Sequence, residues 1–279
     1  MSAARPLGPR ATAAGVLVGI GLLMLWTLLP LLYLVVLSVK PEAMMLDPPS
    51  LRFAPTLERY VELLRWGTLG TPIWNSLVTA VAGTAGALLL GATAALGFAL
   101  HGFRGRGTVF FVILLTRMFP PVTTLIPLYL IMRTLGLLDT RTGLIVLFAA
   151  LQLPLVMWIV YASLGTIPRE MLETTVLDGA SLPVVAARVV FPLAAPGLVS
   201  AAILSFIFCW NDFLLPLVMT STEARTGTVA LMRYTETYKT VLWGPLSTVA
   251  IAMATPTILF VLGLRQYLVK GLTAGMLKG

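Results

Sequence analysis

The sequence predicts an all-α integral membrane protein with six transmembrane helices, and three observations carry that expectation. Of its 279 residues, 58% are hydrophobic and 11% charged, whereas a soluble domain is nearer half apolar and a quarter charged. Apolar runs lie at about 14–38, 72–100, 108–132, 142–164, 196–219 and 243–268, and about 20 apolar residues suffice to cross about 30 Å of hydrocarbon. What lies between them is too short for a water-soluble domain, so residues 1–279 are expected to form one membrane domain.

Arg5 and Arg10 stand before the first run as bases stand before a secretory signal. The run continues to about Val39, too long for a signal core and without a small-residue cleavage site, so it reads as a span. Residues 39–71 are proline-rich and then helical. Thr56 can cap a helix with Leu57, Tyr60, Val61 and Leu64 on one face and Glu58, Glu62 and Arg65 on another. Such a helix fits the membrane interface or a solvated surface. The second run carries Gly83, Ala87, Gly91 and Ala95 at four-residue spacing. Small residues on one face let another helix backbone come close, although the pattern does not name that helix. Phe103-Arg104-Gly105-Arg106 forms a short basic turn.

The third run contains Arg117, Pro120, Pro121 and Pro127. Prolines remove backbone donors, so this helix must kink or break near its middle. Breaks at that depth are tolerated only inside protein or beside a wet cavity, and transporters place them along the path. Arg117 lies about ten residues in, roughly 15 Å deep at about 1.5 Å per residue. A charge there marks a functional site by default. A structural arginine binding carbonyls freed by the prolines remains the alternative.

Ile167–Pro192 is the longest polar-containing interruption of the C-terminal half that also reads as helical. Pro168 suits a first helical turn. Glu170 and Glu173 sit where the helix dipole favours acids. Met171, Leu172, Thr175 and Val176 form a narrow apolar stripe, and Gly179 is a natural stop. Ser181 can cap a second short helix that ends near Phe191, before Pro192. Two short helices at an angle would stand outside the bilayer as a knob.

The fifth run ends in Cys209-Trp210-Asn211-Asp212-Phe213. Asp212 is about 16 residues from Pro196, roughly 24 Å along the helix and about 9 Å above Arg117, so a direct pair needs a stretched arginine or a tilted helix. Asn211 and Asp212 can face a pathway or tie the helix to its neighbours. The loop 220–242 is polar, with Arg225, Arg233, Tyr234, Glu236, Tyr238 and Lys239.

Several chemistries are missing from the sequence. There is no Gly-x-x-x-x-Gly-Lys-Ser/Thr loop to cradle nucleotide phosphates. His101 and Cys209 each stand alone, so no metal site, intrachain disulfide or His-based nucleophile pair is expected. The net charge of +8 fits loops at a membrane rather than nucleic-acid binding, since no basic patch is interleaved with aromatics. An ion-driven carrier would show more ionisable groups inside its spans. The energy for any transport must arrive from another subunit.

Glu173-Thr174-Thr175, Asp178-Gly179-Ala180 and Phe191-Pro192-Leu193 together resemble the EAA loop of binding-protein-dependent ABC importer permeases. The departure is Thr174-Thr175, where that family usually has two alanines. Threonine is the poorer helix former but matches valine in bulk. Trp210-Asn211-Asp212-Phe213 is similar to the family's Trp-Asn-acid-Phe signature, and Gly271–Gly279 is similar to the end of carbohydrate-type permeases. Over nearly its full length the chain resembles the second permease of maltose/trehalose-type uptake systems.

The resemblance implies a cytoplasmic coupling loop over 166–192, with Glu170, Glu173, Thr174, Thr175, Asp178, Gly179 and Ala180 touching an ATPase. It implies an ATPase-contacting cytoplasmic tail over 270–279, with Lys270, Gly271 and Lys278. Arg117, Pro120, Asn211 and Asp212 become candidates for the translocation path, and the loop 220–242 for contact with a solute-binding protein. The implied partners are a second homologous permease, two ATPase subunits, an extracytoplasmic solute-binding protein and lipid. The chain itself would bind no cofactor, ATP and magnesium being held by the partners. The implied solute is a sugar, oligosaccharide or polyol, with glycerol phosphate or a related solute as the alternative. A stand-alone carrier or channel would need an internal repeat, and none is visible. A membrane-embedded enzyme would need clustered catalytic side chains, which the sequence lacks. With the N-terminus cytoplasmic, the expected loops hold nine bases on each side, a tie under the positive-inside rule. The acid-free N-terminal tail, Gly102–Gly107 turn and C-terminal tail favour both termini in the cytoplasm of a bacterial inner membrane, as the resemblance implies.

Overall fold

The computed structural model describes residues 9–45, 52–65, 70–165, 184, 188, 191–232 and 242–274. These residues are helices joined by turns: α1 (Pro9–Val39), α2 (Glu58–Arg65), α3 (Gly70–Leu100), α4 (Arg106–Leu115), α5 (Pro121–Thr134), α6 (Arg141–Leu164), α7 (Ala195–Asn211), α8 (Leu214–Met219), α9 (Gly227–Ala230) and α10 (Trp243–Ala274). No strand occurs among them.

Four helices are long and apolar enough to cross a membrane, over Gly15–Val39, Gly70–Leu100, Arg141–Leu164 and Trp243–Gly263. The expected third span is a bent pair: α4 and α5 meet at 98°. After α4 the chain tightens into a 3₁₀ turn at Thr116–Met118, Phe119 is extended, and α5 begins at Pro121. The residue before a proline is driven out of the helical region, and Pro121 lacks the donor that would continue the earlier helix.

The fifth run differs from the single helix expected over 196–219. α7 stops at Asn211 after 17 residues, and α8 starts again at Leu214. Asp212 is extended, with φ −65° and ψ 128°, and its Oδ1 accepts the Leu215 N–H at 3.3 Å. A short acid that caps the next helix competes with continuation of the previous one.

The core is built on α3 and α6. A Cβ at Gly83 would lie 2.6 Å from Phe148 Cβ, and one at Gly91 would lie 2.8 Å from Val156 Cγ1. Ala87 and Ala95 are fully buried. The stripe of small residues therefore faces α6, and the closeness it allows substitutes for the hydrophobic drive that lipid does not supply. Trp210 fixes α7 to α10: its ring stacks on Phe206 at 5.7 Å and its Nε1 donates to the Met253 carbonyl at 2.9 Å. α1 packs chiefly against α10 and is otherwise exposed apolar surface.

On α2 the packing differs from the amphipathic reading. Thr56 does cap its start, accepting the Glu58 N–H at 3.1 Å, yet Leu57, Val61 and Leu64 stay exposed and Arg59 is buried. The Arg59 guanidinium donates to the carbonyls of Leu37 (3.2 Å) and Lys40 (2.7 Å) and pairs with Glu42 at 3.0 Å. It thus satisfies orphan carbonyls at the end of α1.

Candidate functional site

At one end of the bundle, three segments distant in sequence are locked together. The turn between α5 and α6 puts Asp139 in the left-handed region, φ 54°, which short polar residues tolerate better than most. Its N–H donates to the Met219 carbonyl at 2.9 Å. Its carboxylate accepts from the N–H and hydroxyl of Ser221 (2.9 and 2.7 Å), the N–H and hydroxyl of Thr222 (both 3.0 Å), and the N–H groups of Glu223 (3.2 Å) and Ala224 (3.1 Å). Partial burial works to raise this carboxyl's pKa. The donors of Ser221, Ala224 and Thr222 outweigh it and hold the group well below the usual carboxylate range.

The same loop is held from the other side by α3. Buried Asn75 donates through Nδ2 to the carbonyls of Glu223 and Arg225, both at 2.9 Å, and accepts from Arg141 Nε at 2.7 Å. Ser76 Oγ accepts the Gly227 N–H at 2.9 Å. Residues 220–227 therefore present a fixed surface at this end. Arg233, Tyr234, Glu236, Tyr238 and Lys239 lie outside the described residues.

Arg117 sits in the 3₁₀ turn at the break between α4 and α5. Its Nη1 donates to the Leu151 carbonyl at 3.1 Å, and its Cζ lies 5.3 Å from the centre of the Phe208 ring. Leu151 is three residues before Pro154 of α6, where the proline ring disturbs the carbonyls of the preceding turn. Among the described residues no ion pair joins Arg117 to Asp212. The arginine is exposed on this chain, as is Pro120. Asn211 is exposed too and donates back to the Ile207 carbonyl at 2.9 Å. Asp212 turns inward on its own chain, with its carbonyl accepting from Thr228 Oγ1 at 2.8 Å. The structure therefore gathers Arg117 with Leu151 and Phe208, and sets Asn211 and Asp212 at the helix break one turn away.

Glu170, Glu173, Thr174, Thr175, Asp178, Gly179, Ala180 and Lys278 lie outside the described residues. The backbone of Lys270 and Gly271 continues α10. No group of three or more His, Cys, Asp or Glu among the described residues could hold a metal ion. The sequence reading missed Asn75, Asp139 and Arg59. Thr140 already supplies the cap of α6, accepting the Gly143 N–H at 3.0 Å. An acid immediately before a self-sufficient cap is free for another partner, and that was the available signal for Asp139.

Four helices long and apolar enough to cross a membrane, with a further pair bent beside Arg117, give the chain the architecture of a multi-pass membrane protein. It is a member of the family described as binding-protein-dependent transport system inner membrane component, which it matches over residues 87–274. It is 36% identical to the trehalose transport system permease protein SugB of Mycobacterium tuberculosis, over 91% of this chain and 93% of that one. It is 30% identical to the trehalose/maltose transport system permease protein MalG of Thermococcus litoralis, over 94% and 96%. With the sulfoquinovosyl glycerol transport system permease protein SmoH of Agrobacterium fabrum it shares 32% identity over 90% and 89%. Its fold is similar to a chain of a bacterial ABC transporter that imports alginate, with TM-score 0.78 and 22% identity over 95% and 99%.

Proposed function

We propose that this chain is the permease subunit of an ATP-driven importer of a sugar, oligosaccharide or polyol, working by alternating access. The near-full-length likeness to sugar permeases, 36% identical over 91% of the chain, carries the reading. In it, the Asp139 end faces outward and both termini lie in the cytoplasm. The break at Pro120 and the exposed guanidinium of Arg117 line the path, with Asn211 and Asp212 at its outer end. The fixed surface 220–227 belongs to the side that meets a solute-binding protein.

The chain is a transport subunit, and the nucleotide chemistry falls to partners. Residues 166–192 form the coupling loop, with Glu170, Glu173, Thr174, Thr175, Asp178, Gly179 and Ala180 seated in an ATPase subunit. Residues 270–279 form a cytoplasmic tail in which Lys270, Gly271 and Lys278 touch the ATPase pair. A second permease completes the pathway, and ATP with its magnesium resides in the ATPases. Closure of the ATPase dimer then moves rigid helices and switches cavity access from outside to inside. The test is purification of the chain with its native partners. Recovery of two ATPases and a second permease, with ATP-dependent uptake of trehalose or maltose in vesicles, supports the reading. Uptake by the chain alone overturns it.

A further inference from the structure

Four side-chain oxygens on four different helices are buried with no hydrogen-bond partner: Thr84 Oγ1 on α3, Gln152 Oε1 on α6, Ser205 Oγ on α7 and Thr257 Oγ1 on α10. Buried polar groups are nearly always paired, so each such group needs an explanation. The contacts of the helices place all four near one level. Gly83 and Gly91 abut Phe148 and Val156, which sets Gln152 beside Ala87, one turn from Thr84. On α7, Gly197 abuts Ser163, and Phe208 meets α6 through Arg117 at Leu151, so Ser205 falls within a turn of Gln152. Trp210 bonds to Met253, and Phe206 packs on Phe260, which brackets Thr257 at the same height. Among the described residues, the one polar group that Thr84 and Ser205 reach is the Cys209 thiol, too weak a hydrogen-bonding partner to satisfy either hydroxyl.

We infer that this layer is a buried hydration site, in which about one or two ordered waters bridge Thr84, Gln152 and Ser205, with Thr257 at its edge. The occupant must donate to Gln152 Oε1, which excludes an anion. α3, α6, α7 and α10 carry no Asp or Glu, the nearest acid, Asp212 just past α7, is engaged by the Leu215 N–H, and Arg117 stands at the same level, which disfavours a cation. Water both donates and accepts, and hydroxyls accommodate either role. Such a layer lets α7 shift against α3 and α6 without stranding a polar group, because a water bond exchanges where a direct bond must break. This consequence rests on the alternating-access reading; the hydration site itself does not.

A cryo-electron microscopy map of the complex that co-purifies with this chain, at a resolution showing ordered water, tests the site. The expected result is density about 2.7–3.2 Å from the Gln152 amide and from at least one of the Thr84 and Ser205 hydroxyls. Side chains bonded to one another with nothing between them overturn it, as does a peak at ion-like contacts of about 2.4 Å. Thermal unfolding of the same complex gives a second reading with Thr84→Val, Ser205→Ala and the double variant. Measured in a Cys209→Ala background, which removes the thiol that both hydroxyls reach, a shared water makes the double variant's loss in Tm smaller than the sum of the two single losses. Additive losses, or a rise in Tm with each substitution, contradict the site.

Discussion

Arg141 Nε donates to Asn75 Oδ1 at 2.7 Å, while Asn75 Nδ2 bonds two carbonyls of the loop that Asp139 holds from the other side. α3 and α6, already packed on each other at Gly83 and Phe148, are thereby tied to residues 220–227 by polar bonds. The loop's firmness depends on Asp139 being ionised.

Asp139→Asn tolerates the left-handed backbone as well as aspartate does, so its effect isolates the charge. One acceptor oxygen becomes an NH₂ facing donors. With discount for partial exposure, the loss is about 1–2 kcal/mol, read as a lowered Tm and as faster amide exchange confined to 220–226.

The same carboxylate predicts an acid response. Folding lowers its pKa, so its contribution is complete above the ordinary carboxylate value of about 4 and is lost as pH falls below that toward the folded value. Amide protection of Ser221–Ala224 should be flat from neutral pH to mildly acidic and then decline. In Asp139→Asn it should show no such decline.

Arg59 is the corresponding fastener for α1. A Cβ at Gly244 would come 2.6 Å from the Arg59 Cζ. Arg59→Ala strips the Lys40 carbonyl of its guanidinium donor and leaves the Leu37 carbonyl only the long 3.4 Å bond from the Lys40 N–H, and should destabilise by about 2–3 kcal/mol. Gly244→Val should reproduce part of that loss by displacing the guanidinium. Thermal melts of the two variants and their combination check this, and the double variant should lose little beyond Arg59→Ala.

A Cβ at Gly83 would come 2.6 Å from the Phe148 Cβ of α6. Gly83→Val drives a side chain into Phe148 and should cost about 1–3 kcal/mol, seen as reduced yield and Tm of the membrane-inserted chain. Gly97, which has nothing near its Cβ position, should accept alanine without loss.

Much of this architecture was legible because it depends on one-dimensional signals. The apolar runs located the helices, and Pro120 and Pro121 located the 98° bend. The four-residue spacing from Gly83 to Ala95 located a packing face. What escaped depends on pairings between distant segments. The Thr140 cap leaves Asp139 free for a partner, but nothing local names Ser221–Ala224, 82 to 85 positions away, nor marks Arg59 as the cap of a helix that ends before it. The break at Asp212 escaped because the long apolar stretches on either side of Asn211-Asp212 read as one run, although a short acid able to cap the helix at Leu214 was the clue.

Arg117 joins α4 to α6 at Leu151 and faces outward from this chain. Arg117→Gln keeps hydrogen-bonding capacity but loses the charge and the contact over Phe208. Loss of about 1.4 kcal/mol of charged hydrogen bonding corresponds to roughly tenfold. Solute uptake in vesicles should therefore fall about tenfold while assembly and basal ATP hydrolysis of the complex are kept. Unchanged uptake would place the arginine outside the path.

Under the proposed function, this chain moves solute only when a separate motor acts on residues 166–192. Solute-stimulated ATP hydrolysis and uptake, measured together in the reconstituted complex with and without Glu173→Lys, put that dependence to the test. The variant should insert normally, associate weakly with the ATPase, and lose both stimulated hydrolysis and uptake. Stimulated hydrolysis at the unaltered level in that variant would contradict the coupling role.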